Sequence, residues 1–187
     1  MSQAENMLAL ITIVFGLMLT DLFASLHRLI RQRRRVRWHW LPLLVAWYVL
    51  ALILKNWWGI VSQADSGAKA SGWAFVFYGH LLLLLYLVAS AALPDEVPSA
   101  GLDMRAYYLG HRRQFWGLMS GVSAILMLNA VIGPLLTGST IQPAAVIVNL
   151  LMASAALSLA WVGRIGYHGV LVLVFTALLV LEMISTF

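Results

Sequence analysis

The stretch Gly169-Val-Leu-Val-Leu-Val-Phe-Thr-Ala-Leu-Leu-Val-Leu181 decides the fold, and Leu81-Leu-Leu-Leu-Leu85 repeats its message. Successive positions are apolar without a break, so however the chain winds it presents no polar side. A strand of a transmembrane barrel alternates apolar and polar residues over ~10 positions, and these runs do not. They suit helices in hydrocarbon, where every backbone N–H and C=O must bond within its own segment. The whole chain agrees. Of 187 residues, 62% are hydrophobic and 10% charged, and the mean hydropathy is +0.89. A soluble domain is roughly 45–50% apolar and about 25% charged. One core cannot hide so much apolar surface, so most of the exterior faces lipid.

Working outward from these runs, six segments reach the ~20 helical residues that a bilayer core of ~30 Å requires. They lie at about 7–30, 39–62, 72–93, 115–136, 144–162 and 167–187, and predict an all-α, six-span bundle forming one domain over residues 1–187. Met1–Asn6 carries no basic residue and the first apolar run is too long for a leader, so the first span is expected to be retained. The arginines set the orientation. Arg28, Arg31, Arg33, Arg34, Arg35 and Arg37 lie between spans one and two, Arg105, Arg112 and Arg113 between three and four, and Arg164 between five and six. The opposite side has Lys69, with Lys55 near a helix end. The Lys/Arg rule then puts the arginine loops in the cytoplasm and both termini outside, in a bacterial inner membrane. Tryptophans 38, 40, 57, 58, 73, 116 and 161 fall near span ends, as interfacial belts do.

The arginines Arg33, Arg34, Arg35, Arg112 and Arg113 are read as topology determinants that also attract anionic lipid headgroups, at ~1 kcal/mol each near the surface. So short a loop is a poor nucleic-acid site. Residues 94–111 form the longest break, read as a short amphipathic cytoplasmic segment.

Ionisable residues inside spans are the default places to look for function. Counted from the outer ends, Lys55, Asn149 and Glu182 are about 5 residues deep, Asn129 about 7 and His80 about 8, or roughly 7–12 Å. Five spans thus contribute to one polar layer. One reading is an outward-opening cavity where Glu182 and His80 exchange protons or bind a cation, with Lys55 as counter-charge. The structural alternatives are a buried Lys55–Glu182 pair with interhelical hydrogen bonds from Asn129, Asn149 and His80, or two charges snorkelling to the interface. Asp21, near the cytoplasmic edge of span one, either relays protons or pairs with Arg28, Arg112, Arg113 or Arg164, and pairing is favoured. Packing faces are marked by small residues: Gly117 and Gly121 form a GxxxG in span four, and Ala153 and Ala156 belong to a small-residue face on span five, so these two helices are expected to pack closely. Gly133-Pro134 is read as ending span four.

With no cysteine, disulfides, thiolate nucleophiles and cysteine-held metals are excluded. No Gly-rich phosphate loop, Gly-x-Ser-x-Gly or zincin motif occurs, so neither catalytic nor metal-ligand residues are assigned. A membrane enzyme would have to use His111 with Tyr107, Tyr108 and Arg112 at the cytoplasmic surface. No cofactor is expected; a bis-histidine haem would need two of His27, His39, His111 and His168 opposed at one depth.

Span one from Gly16 to Leu29 leading into Arg33-Arg34-Arg35-Val36-Arg37, then Trp57-Trp58, then Tyr107-Tyr108-Leu-Gly-His111-Arg112-Arg113-Gln-Phe115-Trp116, resembles a group of small hypothetical bacterial six-span inner-membrane proteins. The likeness covers about the first two thirds of the chain and implies no catalytic residue. The bacterial relatives of the lysosomal potassium channel share the size and span count. Their Phe-Ser-Asp filter motif is not matched: Leu19-Thr20-Asp21 lacks the Phe and lies near the other end of its helix. The expected function is a small ion channel or ion-coupled transporter for protons or a monovalent cation, as a homo-oligomer. The alternative is a non-catalytic membrane subunit or sensor that binds a protein partner or anionic lipid through its arginine loops.

Overall fold

A computed structural model describes residues 3–65 and 72–186, in which the apolar runs become six helices. These are α1 (Gln3–Arg31), α2 (Trp40–Asp65), α3 (Gly72–Ala92), α4 (Met104–Thr137), α5 (Pro143–Trp161) and α6 (Ile165–Thr186). All six contain stretches long and apolar enough to cross a membrane, which fits an integral membrane protein. Lys69 lies outside the described residues. The central element is α2, which packs against α1, α3, α4 and α6. α1 lies across α2 and α3, and α3 and α5 flank α4. The largest shared face is that of α4 with α5.

The fourth helix departs most from expectation. It begins eleven residues before position 115, because the Asp103 side chain accepts from the Arg105 and Ala106 amides (2.9 and 3.1 Å) and caps it. Much of the segment expected to be a surface loop is therefore helix. At its other end the chain continues past Pro134 for one turn and stops at Gly138, whose φ of 71° takes the left-handed conformation that ends helices. Its 34 residues span about 51 Å, well beyond a bilayer core. Trp116, expected in an interfacial belt, is three turns inside this longer helix and fully buried, whereas Trp38, Trp40 and Trp161 are exposed.

The arginine loops meet at one end of the bundle. Val36 pairs with Leu102 and Arg37 with Asp103 in a two-residue parallel bridge, β1 (Val36–Arg37) with β2 (Leu102–Asp103). Gly101 makes this approach possible: its φ is 94°, and a Cβ there would stand 3.0 Å from the Arg35 carbonyl oxygen. Beside the bridge, buried Ser25 donates to Asp95 Oδ1 at 3.0 Å, and Arg28 Nη2 donates both to Ser25 Oγ (2.8 Å) and to Asp95 Oδ1 (3.0 Å). These bonds fasten α1 to the segment that enters α4.

At the same end, a buried polar chain fixes α6 against α4. His168 Nε2 lies 2.7 Å from the Val162 carbonyl oxygen, which only accepts, so Nε2 carries the proton. Nδ1 of the neutral ring is then an acceptor, and the Tyr108 hydroxyl donates to it at 2.7 Å. The Tyr108 oxygen in turn accepts from Trp116 Nε1 at 2.9 Å. Three large polar side chains are thus buried with their polar atoms engaged, as an apolar surrounding demands.

Tyr108→Phe leaves the Trp116 N–H and His168 Nδ1 without this partner. It is expected to destabilise the fold by about 2 kcal/mol, read as a fall of several degrees in the thermal midpoint of purified protein. The Ala106 amide, then the Arg105 amide and the Arg37 and Arg105 guanidiniums, hold the Asp103 carboxyl below the usual carboxylate range. Its contribution to stability is therefore complete above the unfolded value of about 3.9 and is lost as pH falls through the lowered folded value. Hydrogen exchange at the Arg105 and Ala106 amides, corrected for intrinsic rates, should lose protection over that acid window, and in Asp103→Ala should lack it at every pH.

Candidate functional site

At the end of the bundle opposite the arginines, α2, α4, α5 and α6 part around a cavity of about 310 Å³. α5 and α6 touch little, although only residues 162–164 separate them. Their side-chain bond, Ser158 Oγ to Tyr167 OH at 2.7 Å, lies next to that link. Away from it they diverge, and the cavity occupies the gap.

The cavity is polar toward the bundle end and apolar at its floor. Lys55 Nζ lies 2.6 Å from Glu182 Oε1, with 34% and 54% of the two side chains exposed. The charges therefore form a half-open ion pair in the cavity wall rather than a fully buried one. Asn129 and Asn149 line the same space, as do Asn56, Tyr48 and Ser123. Toward the arginine end the wall becomes Met119, Ala156 and Phe175. One turn further along each helix lie Trp116, Leu159 and Val172, none with any exposed surface. This layer closes the floor, and the Trp116–Tyr108–His168 chain continues beneath it.

The amides have defined roles. Asn56 Nδ2 donates to Leu52 O at 2.8 Å and Asn149 Nδ2 to Ala145 O at 2.9 Å, each four residues back on its own helix. Their donors are thereby partly spent at home, while the Oδ1 acceptors remain for the cavity. Asn129 differs: its Oδ1 accepts from Trp73 Nε1 of α3 at 3.0 Å. With the Glu182 carboxylate, the Ser123 hydroxyl and the Tyr48 phenol, the cavity presents an oxygen-rich set suited to a proton or a hard monovalent cation. Among the described residues no three His, Asp or Glu side chains converge as a metal cluster would need.

Of the expected polar layer, Lys55, Asn129, Asn149 and Glu182 come together. His80 does not. It projects from the outer face of α3, with Nδ1 held 2.7 Å from the Val76 carbonyl of its own helix. Depth was the same but direction was not, because the buried face of α3 is set by Phe77, Leu81 and Leu85. Asp21 is half-buried on α1 and, among the described residues, pairs with none of the four arginines proposed for it. Arg28 is engaged by Asp95, Arg112 donates to the Leu109 carbonyl, and Arg113 lies 5.1 Å over the Trp161 ring. The surface group imagined for an enzyme is also dispersed: Tyr108 points inward to His168, while His111 stacks on Tyr107 at the surface. Both ring nitrogens of His168 are engaged, which removes it from a haem-ligand pair unless its bonds break.

The GxxxG stripe is not the seam between α4 and α5. Gly117 is exposed, and a Cβ placed there would have nothing within 4 Å, while Gly121 faces Leu84 of α3. The seam with α5 uses the other small residues, including Ser120 Oγ, which donates to the Ala153 carbonyl at 3.1 Å. Ala156 is buried at the cavity floor. Sequence reasoning missed Tyr48, Asn56 and Ser123. Asn56 was open to discovery as the polar neighbour of Lys55, and Tyr48 as the residue two helical turns below it.

Comparison with protein-family models, curated proteins and solved structures gives no match.

Gly121→Leu is expected to push α3 from α4 and destabilise the protein by about 1–3 kcal/mol, whereas Gly117→Leu should leave the thermal midpoint within about 1 °C. Equal losses would restore the GxxxG stripe as a packing face.

Proposed function

We propose that the protein is a small ion-coupled transporter of the bacterial inner membrane, handling protons or a monovalent cation through the cavity between α2, α4, α5 and α6. In this reading the arginine loops lie in the cytoplasm and the cavity opens toward the outer face. The observation that carries it is the oxygen-rich wall around the Lys55–Glu182 pair, above a floor sealed by Trp116, Leu159 and Val172. A chamber closed toward the arginine end suits a carrier that is loaded from elsewhere in the bundle. An open channel has no use for the sealed floor.

The chemistry follows from the pair. While Glu182 is ionised, Lys55 neutralises it and the wall binds no further cation strongly. Protonation of Glu182 frees the ammonium, and an arriving cation has to displace that ammonium from the carboxylate. Either event changes the charge balance between α2 and α6, the two helices that the pair joins. Asn149 and Asn56 supply neutral oxygens that can replace part of a cation's water without adding charge.

The test is flux in proteoliposomes under imposed proton and potassium gradients. Glu182→Gln is expected to lower flux about tenfold or more, with the thermal midpoint little changed because the pair is half-exposed. His80→Ala should match the wild type, since its ring faces away from the cavity. Flux unaffected by Glu182→Gln removes the cavity from the pathway. No flux from folded protein under any gradient moves the reading to a non-catalytic subunit or sensor.

A further inference from the structure

The loops that meet at the arginine end border a second, open concavity of about 520 Å³, independent of the transport reading. Its walls are Arg34, Arg35, Val36 and Arg37 on one side and residues 99–103 on the other. Its volume lies within the range of ligand pockets, about 300 to 1,000 Å³. Its charge balance gives the ligand class. Arg37 stands 3.5 Å from Asp103 Oδ2, and Asp103 also holds two backbone amides. Arg34 and Arg35 have no carboxylate partner among the described residues. Three arginines and one aspartate therefore line the concavity, a surplus of two positive charges among its residues.

The concavity is built rather than incidental. The β1–β2 register sets the spacing of its walls, and Gly101, with its φ of 94° and its close approach to the Arg35 carbonyl, admits no side chain there. Opposite the arginines, Ser99 adds an exposed hydroxyl. Trp38 and Trp40, both exposed, immediately follow the arginine run, and exposed tryptophan at a span end marks headgroup depth. Arg33 and Arg105 are close in sequence and equally charged, yet line no part of this cavity.

We infer that Arg34 and Arg35, with Arg37 and Ser99, bind a phosphate-bearing anion at the membrane surface. Planar guanidiniums bond phosphate oxygens in pairs, and the Ser99 hydroxyl can donate to a third oxygen. A phospholipid headgroup and a free phosphate share this chemistry, and two probes separate them.

The full-length protein is purified in detergent and compared with Arg34→Gln/Arg35→Gln and with Arg33→Gln/Arg105→Gln, which removes the same charge from outside the cavity. Phosphatidylglycerol binding is read by native mass spectrometry, and inorganic phosphate by its shift of the thermal midpoint. The cavity variant is expected to bind the lipid about tenfold more weakly or worse, while the outside variant resembles the wild type. If the lipid is indifferent but inorganic phosphate stabilises the wild type and the outside variant alone, the site stands and its ligand is free phosphate. Equal loss in both double variants, or loss in neither, overturns the site in favour of diffuse surface charge. Ser99→Glu covers the case in which the cavity variant does not fold: it keeps every arginine, sets a carboxylate on the wall, and must weaken binding of whichever probe the wild type binds.

Discussion

The Tyr108 hydroxyl is the fixed point of this molecule. It accepts from Trp116 and donates to His168, whose other nitrogen is held by the Val162 carbonyl at the end of α5. One oxygen therefore joins α4, α6 and the α5–α6 link at a single depth. Because α5 and α6 are pinned there and hardly touch elsewhere, they are free to diverge, and the cavity is the space their divergence leaves. The pinning suits its surroundings: all three side chains are buried, so a partner lost is not replaced by solvent, and a closed chain of donors and acceptors holds one geometry.

The architecture was legible because its cause is coarse. Unbroken apolar runs such as 81–85 and 169–181 allow one secondary structure, and α1, α2, α3, α5 and α6 begin and end within about four residues of the expected limits. α4 escaped because a single capping side chain, Asp103, starts it earlier than hydropathy does, in a segment whose arginines and tyrosines read as surface. Composition reports where lipid is; it says little about where a helix protruding from lipid begins.

The polar layer was half legible for a related reason. Counting along a span gives depth, and depth alone gathered Lys55, Asn129, Asn149 and Glu182. Direction around a helix needs a polar face and an apolar face, and α3 is apolar all round, so nothing in its sequence told that His80 would point outward. The same blindness applied to Gly117, where a spacing suited to packing sits on an exposed face. Asp95 was the acid that took Arg28, because a turn brought it beside Ser25, 70 positions away, and no periodicity reports such a pairing.

The parallel bridge between residues 36–37 and 102–103 has a consequence for the order in which the chain is made. Val36 meets its partner 66 positions later in the sequence, after α2 and α3 have both been synthesised. At ~5–20 residues per second the first arginine loop waits roughly 3–13 s for β2 to emerge. Until residues 95–103 emerge, Arg28 and Ser25 have each other but lack Asp95, and Val36 lacks Leu102. The bridge at the arginine-rich end is thus completed only when residues 102–103 arrive, and a nascent chain halted before residue 102 leaves Val36, buried in the finished protein, without the strand that pairs with it.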